Sequence, residues 1–160
     1  MIVIADTTPL NYLVLIDRDQ VLPQLYGRVL IPVAVWQEFQ RPETPQPVRA
    51  WIAQPPAWLQ IRPVERTPNL AIENLGAGEC EAIALAEELH ADRLIMDDRA
   101  ARRIATQRHL IVIGTLGVLT EAADRGLIDF SDTIARLRQT SFYVSPEVLD
   151  PLLQRYAKKR

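Results

Sequence analysis

The sequence predicts an α/β fold, and three observations carry that reading. Short apolar runs alternate with helical stretches, most clearly after Gly78, in the rhythm of βαβ units. The runs Ile2-Val3-Ile4-Ala5 and Leu94-Ile95-Met96 are continuously apolar and bounded by polar residues, as in strands buried on both faces. Each run ends in aspartate, Asp6 or the pair Asp97-Asp98, and open α/β sheets bind ligands outside the carboxyl ends of their strands.

Ile2 to Ala5 is the first strand, and Thr7-Thr8-Pro9 then offers a cap and a first-turn proline for a helix from Pro9 to Ile16. A second helix covers Gln20 to Tyr26, Val29-Leu30-Ile31 is a short strand, and Pro32 opens the helix that bears Glu38. Pro42, Pro45 and Pro47 break the pattern before a short helix from Val48 to Ala53. Leu59-Gln60-Ile61 suits an edge strand, where nearby prolines are tolerated, and Arg62 to Asn74 reads as a connector. From Gly78 a helix runs to His90, followed by a strand Arg93 to Met96, a helix Arg99 to Gln107, a strand Leu110 to Ile113 and a helix Leu116 to Arg125. Gly126-Leu127-Ile128 ends that helix, Ser131 or Asp132 caps another running to Arg138, and Pro146 to Tyr156 forms the last. The whole chain, 1–160, is expected to be one domain with 140–160 as a C-terminal helical extension. The apolar residues Val148, Leu149, Leu152 and Leu153 of that extension pack on the chain's own core or in a partner's groove.

Hydrophobic residues at 48% and charged residues at 24% exclude disordered and fibrous classes. A formal charge of -2 removes any argument for nucleic-acid binding from overall basicity. Such binding must come from local patches, such as Arg99, Arg102, Arg103 and Arg108, or from metal ions. Cys80 is the only cysteine, which rules out an intrachain disulfide and a multi-cysteine zinc site and suits a reducing cytosol; a buried helix position is its expected place. His90 and His109 stand outside any metal-ligand spacing. No basic region followed by a long apolar stretch opens the chain, and no apolar run approaches the roughly 20 residues of a membrane span, so a cytoplasmic protein without membrane association is expected.

At about 100° per residue, Glu79 shares a helix face with Ala82, Ile83, Ala86 and Leu89, whereas Glu81 and Glu88 fall opposite and need no partner. A first-turn acid on the apolar face must be paired, coordinated or protonated, or else it simply complements the helix dipole. Asp6 reads either as a site residue or as an N-cap, although Thr7 and Thr8 can take the capping role. Glu38, flanked by Trp36 and Phe39 without a clean apolar stripe, reads locally as a solvated helix glutamate and gains weight only from its company. Of Asp97 and Asp98, one is expected to cap the following helix and the other to ligate. Carboxylates that converge in a near-neutral protein raise one another's pKa values or recruit hard cations, here Mg²⁺ or Mn²⁺.

Five stretches taken together resemble the PIN-domain pattern of metal-dependent ribonucleases, and in their wording VapC-type toxins. They are Ile4-Ala5-Asp6-Thr7-Thr8-Pro9-Leu10, Ile31-Pro32-Val33-Ala34-Val35-Trp36-Gln37-Glu38, the run Leu75 to Ala86 around Gly78-Glu79-Cys80, Leu94 to Arg102 around Asp97-Asp98, and Gly114-Thr115-Leu116-Gly117-Val118-Leu119. They span Ile2 to about Ile128 in the family's order and spacing. The resemblance implies an acidic quartet of Asp6, Glu38, Glu79 and an aspartate of the Asp97-Asp98 pair, with Asp6, Glu79, Asp97 and Asp98 as candidate metal ligands. Which aspartate ligates stays open; the doublet leans to Asp98, yet Met96 stands where many relatives place a threonine two residues before the last ligand. Thr7, Thr8, Arg99, Arg102 and Thr115 are the implied polar and substrate-binding neighbours. The family further implies a three-layer α/β/α sandwich with a central parallel sheet, Mg²⁺ or Mn²⁺ as cofactor, RNA as substrate, a homodimer and a cognate antitoxin.

Metal-assisted attack of water on phosphorus would leave 5′-phosphate and 3′-hydroxyl ends and needs no histidine. The main alternative is a PIN-like metal-binding interaction module with little or no cleavage activity. Phosphoaspartyl enzymes fit less well: Thr8 stands where a dehalogenase-like phosphatase needs a second aspartate, and no lysine precedes Lys158 to serve a receiver domain. Gly76-Ala77-Gly78 completes neither a phosphate-binding loop nor a dinucleotide fingerprint.

Overall fold

The computed structural model describes residues 1–66 and 75–157. Five strands form one sheet: β1 (Val3–Ala5), β2 (Val29–Pro32), β3 (Leu59–Arg62), β4 (Arg93–Ile95) and β5 (Val112–Ile113). Their order is β3-β2-β1-β4-β5, and every neighbouring pair is parallel. From β1 the chain builds outward through β2 to β3, then returns to place β4 on the other side of β1. The seam between β1 and β4, with Val3 opposite Arg93 and Ala5 opposite Ile95, is therefore the topological switch point where open α/β sheets bind ligands.

The helices are α1 (Thr7–Leu15), α2 (Val21–Tyr26), α3 (Val33–Glu38), α4 (Gln46–Ala53), α5 (Ala77–Glu88), α6 (Arg99–Gln107), α7 (Thr115–Asp124), α8 (Phe130–Leu137) and α9 (Pro146–Ala157). Strand side chains alternate between two cores, as the pleat requires. Val3, Ala5, Val29, Ile31 and Ile95 join residues of α1, α2, α4, α7, α8 and α9 on one face. Ile4, Leu30, Leu94 and Met96 join α5 and α6 on the other. The architecture is an α/β/α sandwich with a central parallel sheet, and the continuous apolar runs of β1, β2 and β4 exist because both faces of these strands are covered.

Several element boundaries depart from the sequence reading. Helix α1 starts at Thr7 rather than Pro9, because extended Asp6 (φ -88°, ψ 172°) occupies the N-cap position and draws both threonines into the first turn. Helix α4 begins at Gln46 and takes in Pro47, whose missing N–H costs nothing in a first turn. Helix α8 starts at Phe130, because the Asp129 carboxylate accepts the Asp132 amide at 3.0 Å; neither Ser131 nor Asp132 is its cap. Strand β3 lies at the sheet edge as expected, while most of the connector expected from Arg62 to Asn74 lies outside the described residues. In α9, Leu149 is buried and Leu152 and Leu153 pack on the first core, so this helix turns its apolar side inward; Val148 alone of the four stays 52% exposed. Cys80 is buried in the second core. No helix among the described residues is long and apolar enough to cross a membrane.

Candidate active site

The carboxyl ends of β1 and β4 are joined where the Asp6 amide donates to the Ile95 carbonyl at 2.9 Å. Asp6 is 3% exposed, and although it holds the N-cap position of α1, its side chain makes no capping hydrogen bond. Its Oδ1 is buried with no hydrogen-bond partner among the described protein groups. Burial pushes its pKa up to about 7; the Thr7 amide works against that rise, and the carboxylates of Glu79, Glu38 and Asp97 add to it. A buried acid in this condition is either protonated or neutralised by a cation.

Glu38, at the end of α3, is no solvated glutamate. It accepts the Thr7 hydroxyl at 2.5 Å and the Gly78 amide at 2.8 Å, tying the starts of α1 and α5 to its own helix. A Cβ on Gly78 would lie 2.7 Å from the Glu38 carboxylate carbon, so the absent side chain at Gly78 makes this bond possible. Glu79, in the first turn of α5, accepts the Gly76 amide at 3.1 Å and is partly buried. Burial raises its pKa, the Gly76 amide opposes the rise, and Asp98 and Glu38 reinforce it.

The aspartate pair divides its work. Asp98 is the N-cap of α6, accepting the Ala101 amide at 2.9 Å, and is exposed. Asp97 receives two hydrogen bonds from Thr115, 2.8 Å from its amide and 2.5 Å from its hydroxyl. Thr115 is fully buried at the start of α7, so it acts as a positioning residue for Asp97. Thr7 plays the same part for Glu38, whereas Thr8 is exposed and its side chain makes no hydrogen bond among the described residues. Arg99 and Arg102 line an open cleft that Asp97 shares. The structure thus gathers Asp6, Glu38, Glu79, Asp97 and Asp98 at the switch point, while His90 and His109 lie against a separate surface hollow.

Two acids expected to need no partner have one. Glu81 accepts the Ala34 amide at 3.0 Å and so caps α3, while Glu88 accepts the amides of Glu65 and Arg66 at 3.0 Å each and pins the chain beyond β3. Helix periodicity places these residues off the apolar stripe, but it carries no information about backbone ends brought there by distant segments.

A divalent cation fits the Asp6 end of this cluster. The observation behind that fit is the unpartnered, desolvated Asp6 oxygen, with the carboxylates of Glu79, Glu38 and Asp97 near enough to raise its pKa. Among the described residues no group of three or more histidine, cysteine, aspartate or glutamate side chains is placed to hold a metal ion by itself. Mg²⁺ does not require one, because it keeps several waters and binds through one or two carboxylates together with substrate phosphate.

The DUF3368 family model, described as a PIN domain, matches residues 2–158, nearly the whole chain. No curated protein matches the chain.

Proposed function

Because the chain belongs to the PIN-domain family, a family of nucleases, we propose that it is a Mg²⁺- or Mn²⁺-dependent endoribonuclease acting as the toxin of a toxin-antitoxin pair. The observation that carries this reading is the buried Asp6 carboxylate at the β1–β4 seam, one oxygen unpartnered, with Glu38, Glu79 and Asp97 around it. Asp6 holds the cation, with Glu79 and the Asp97-Asp98 pair as the remaining ligands. A bound divalent ion supplies a water of lowered pKa and offsets the negative charge that develops on the phosphodiester.

The protein's own residues set the geometry. The hydrogen bonds from Thr7 and Gly78 fix Glu38, and those from Thr115 fix Asp97, so neither carboxylate reorients when substrate arrives. Glu38 serves by holding negative charge beside Asp6 and by locking three chain segments together. Arg99 and Arg102 meet the phosphate backbone, and Thr8 contacts substrate from its exposed place at the start of α1. The products carry 5′-phosphate and 3′-hydroxyl ends. The same reading takes the chain as a single cytoplasmic domain that forms a homodimer and is held inactive by a cognate antitoxin.

Two observations favour the rival, an interaction module with little cleavage activity: Glu38, Asp97 and Asp98 already accept hydrogen bonds, and among the described residues no group of three such side chains is placed to hold a metal ion. Incubating the purified chain with total RNA and Mg²⁺ or Mn²⁺, beside EDTA and Asp6→Asn controls, separates the two. Cleavage that both controls abolish establishes the nuclease. Cleavage that survives Asp6→Asn, or none in any metal, removes the catalytic assignment.

A further inference from the structure

Beside the carboxylates lies an open cleft of about 630 Å³, within the range of small-ligand sites. Asp97 lines it, and the charge of Asp97 reaches Asp6, so the cleft borders the cluster at that residue. Val112, Ile113 and Leu116 give it apolar surface, and Arg99 and Arg102 give it positive charge. Neither guanidinium group forms an ion pair or hydrogen bond among the described residues. Arg102 and Asp97 flank Gly114, where an added Cβ would meet Arg102 Nη1 at 2.7 Å and Asp97 Oδ1 at 2.8 Å. Gly114 thus leaves room for a guanidinium beside the cluster with its donors uncommitted.

The cleft also holds Tyr143, the most exposed large apolar side chain among the described residues at 81%. Its backbone is fixed from the preceding residues. The Ser141 and Tyr12 hydroxyls share a hydrogen bond at 2.7 Å, and the Phe142 ring meets the Tyr12 ring edge-on at 5.0 Å and 77°. Tyr12 belongs to α1, the helix that Asp6 opens. An aromatic face is therefore presented to solvent on a segment braced against the site, next to two unpaired guanidinium groups.

Resting on the nuclease reading above, we propose that this cleft is a subsite for single-stranded RNA, in which one unpaired base stacks on Tyr143 and the adjoining phosphate binds Arg102 and Arg99. Every nucleobase offers a π-face, so such stacking tolerates sequence, whereas a base inside a duplex is already stacked on its neighbours. The guanidinium groups match phosphate through paired N–H donors. The cleft then holds RNA beside Asp97 and selects unpaired segments over helices.

The test measures fluorescence anisotropy of a labelled single-stranded RNA oligonucleotide in Mg²⁺, on an Asp6→Asn background that keeps the RNA intact. Adding Tyr143→Ala weakens binding about tenfold, while Tyr143→Phe keeps it. An abasic nucleotide in the oligonucleotide weakens binding to the background protein but not to its Tyr143→Ala version. Arg102→Gln lowers the salt slope of log K by about one. Unchanged affinity in Tyr143→Ala overturns the subsite, as does equal binding of duplex, or no binding of RNA by the background protein. Tyr143→Ala that keeps RNA affinity but releases a co-purifying protein marks a protein-docking face and overturns it as well. Cleavage of the same oligonucleotide by the wild type, run in parallel, decides the nuclease reading separately: cleavage with an indifferent Tyr143 sinks only the subsite.

Discussion

The Gly78 amide donates to the Glu38 carboxylate at 2.8 Å, joining the first turn of α5 to the last residue of α3 across 40 positions of sequence. A methyl group at residue 78 has no space beside that carboxylate. Gly78→Ala is therefore expected to displace Glu38 from its hydrogen bonds; their loss outweighs the roughly 1 kcal/mol that alanine gains over glycine in a helix and leaves the chain about 1 kcal/mol less stable. Chemical denaturation reads the loss, and RNA cleavage falls with it. Full activity and an unchanged midpoint would show that the contact is dispensable.

Asp6 links stability to pH. Its pKa is raised from 3.8 to about 7 in the folded chain, mainly by burial, so between those values the native state binds a proton that the unfolded chain releases. That contribution is fully present below about pH 4 and is lost as pH rises through about 7, on the order of 4 kcal/mol in all. Metal-stripped protein should accordingly melt lower at pH 8 than at pH 5.5, and Asp6→Asn should flatten this part of the profile. Thermal melts across that range decide it; a metal-free chain that is more stable at pH 8 contradicts the assignment.

Divalent ions should reverse the same loss. Because a cation favours the charged carboxylate, adding Mg²⁺ or Mn²⁺ at pH 8 raises the melting temperature of the wild type and leaves Asp6→Asn unmoved. Equal shifts in both proteins would place the ion elsewhere.

Thr115 offers a test confined to one hydroxyl. Thr115→Val removes the 2.5 Å donor to Asp97 and keeps the 2.8 Å amide donor and the side-chain shape. Cleavage should drop about 10- to 100-fold, the range typical when a residue that orients a metal-binding side chain is lost. Binding of single-stranded RNA should change far less. Wild-type turnover in this variant would mean that the amide alone holds Asp97.

Glu81 gives a contrasting, structural prediction. Its carboxylate caps α3 through the Ala34 amide, so Glu81→Ala should cost about 1 kcal/mol, as lost caps usually do. The denaturant midpoint reports it. A midpoint within error of the wild type would show that solvent satisfies the Ala34 amide equally well.

The alternation of elements was legible because β1, β2 and β4 are buried on both faces, which makes each a continuous apolar run with a sharp polar end. Helix α6 matches its expected span, Arg99–Gln107, because Asp98 is a strong cap three residues before the amide it accepts. Asp6 and the Asp97-Asp98 pair were legible for the same reason, an acid just past a strand's carboxyl end, but their division was not: the doublet leans to Asp98 as ligand, and only the fold shows Asp98 capping α6 and Asp97 held by Thr115. Glu38 was reached only through the family resemblance and not from its own surroundings in sequence, since its partners Thr7 and Gly78 lie 31 and 40 positions away. The roles of Glu81 and Glu88 were misread because their partners are backbone amides, which no side-chain pattern reveals. Gly78 did carry a usable signal, for a glycine inside a helix costs about 1 kcal/mol relative to alanine and such a position calls for a steric reason. Tyr143 carried none, because its exposure depends on how the segment before α9 crosses α1.

The strand order has a consequence for a chain still being made. The first half of the sequence can pair β1, β2 and β3, yet it leaves β1 with an open edge and Asp6 with no β4 beside it. Thr115, which orients Asp97, comes later still. A nascent polypeptide therefore lacks the finished centre until Thr115 has been made and folded against Asp97, and any fragment that stops short of β4 carries Asp6 in an incomplete sheet.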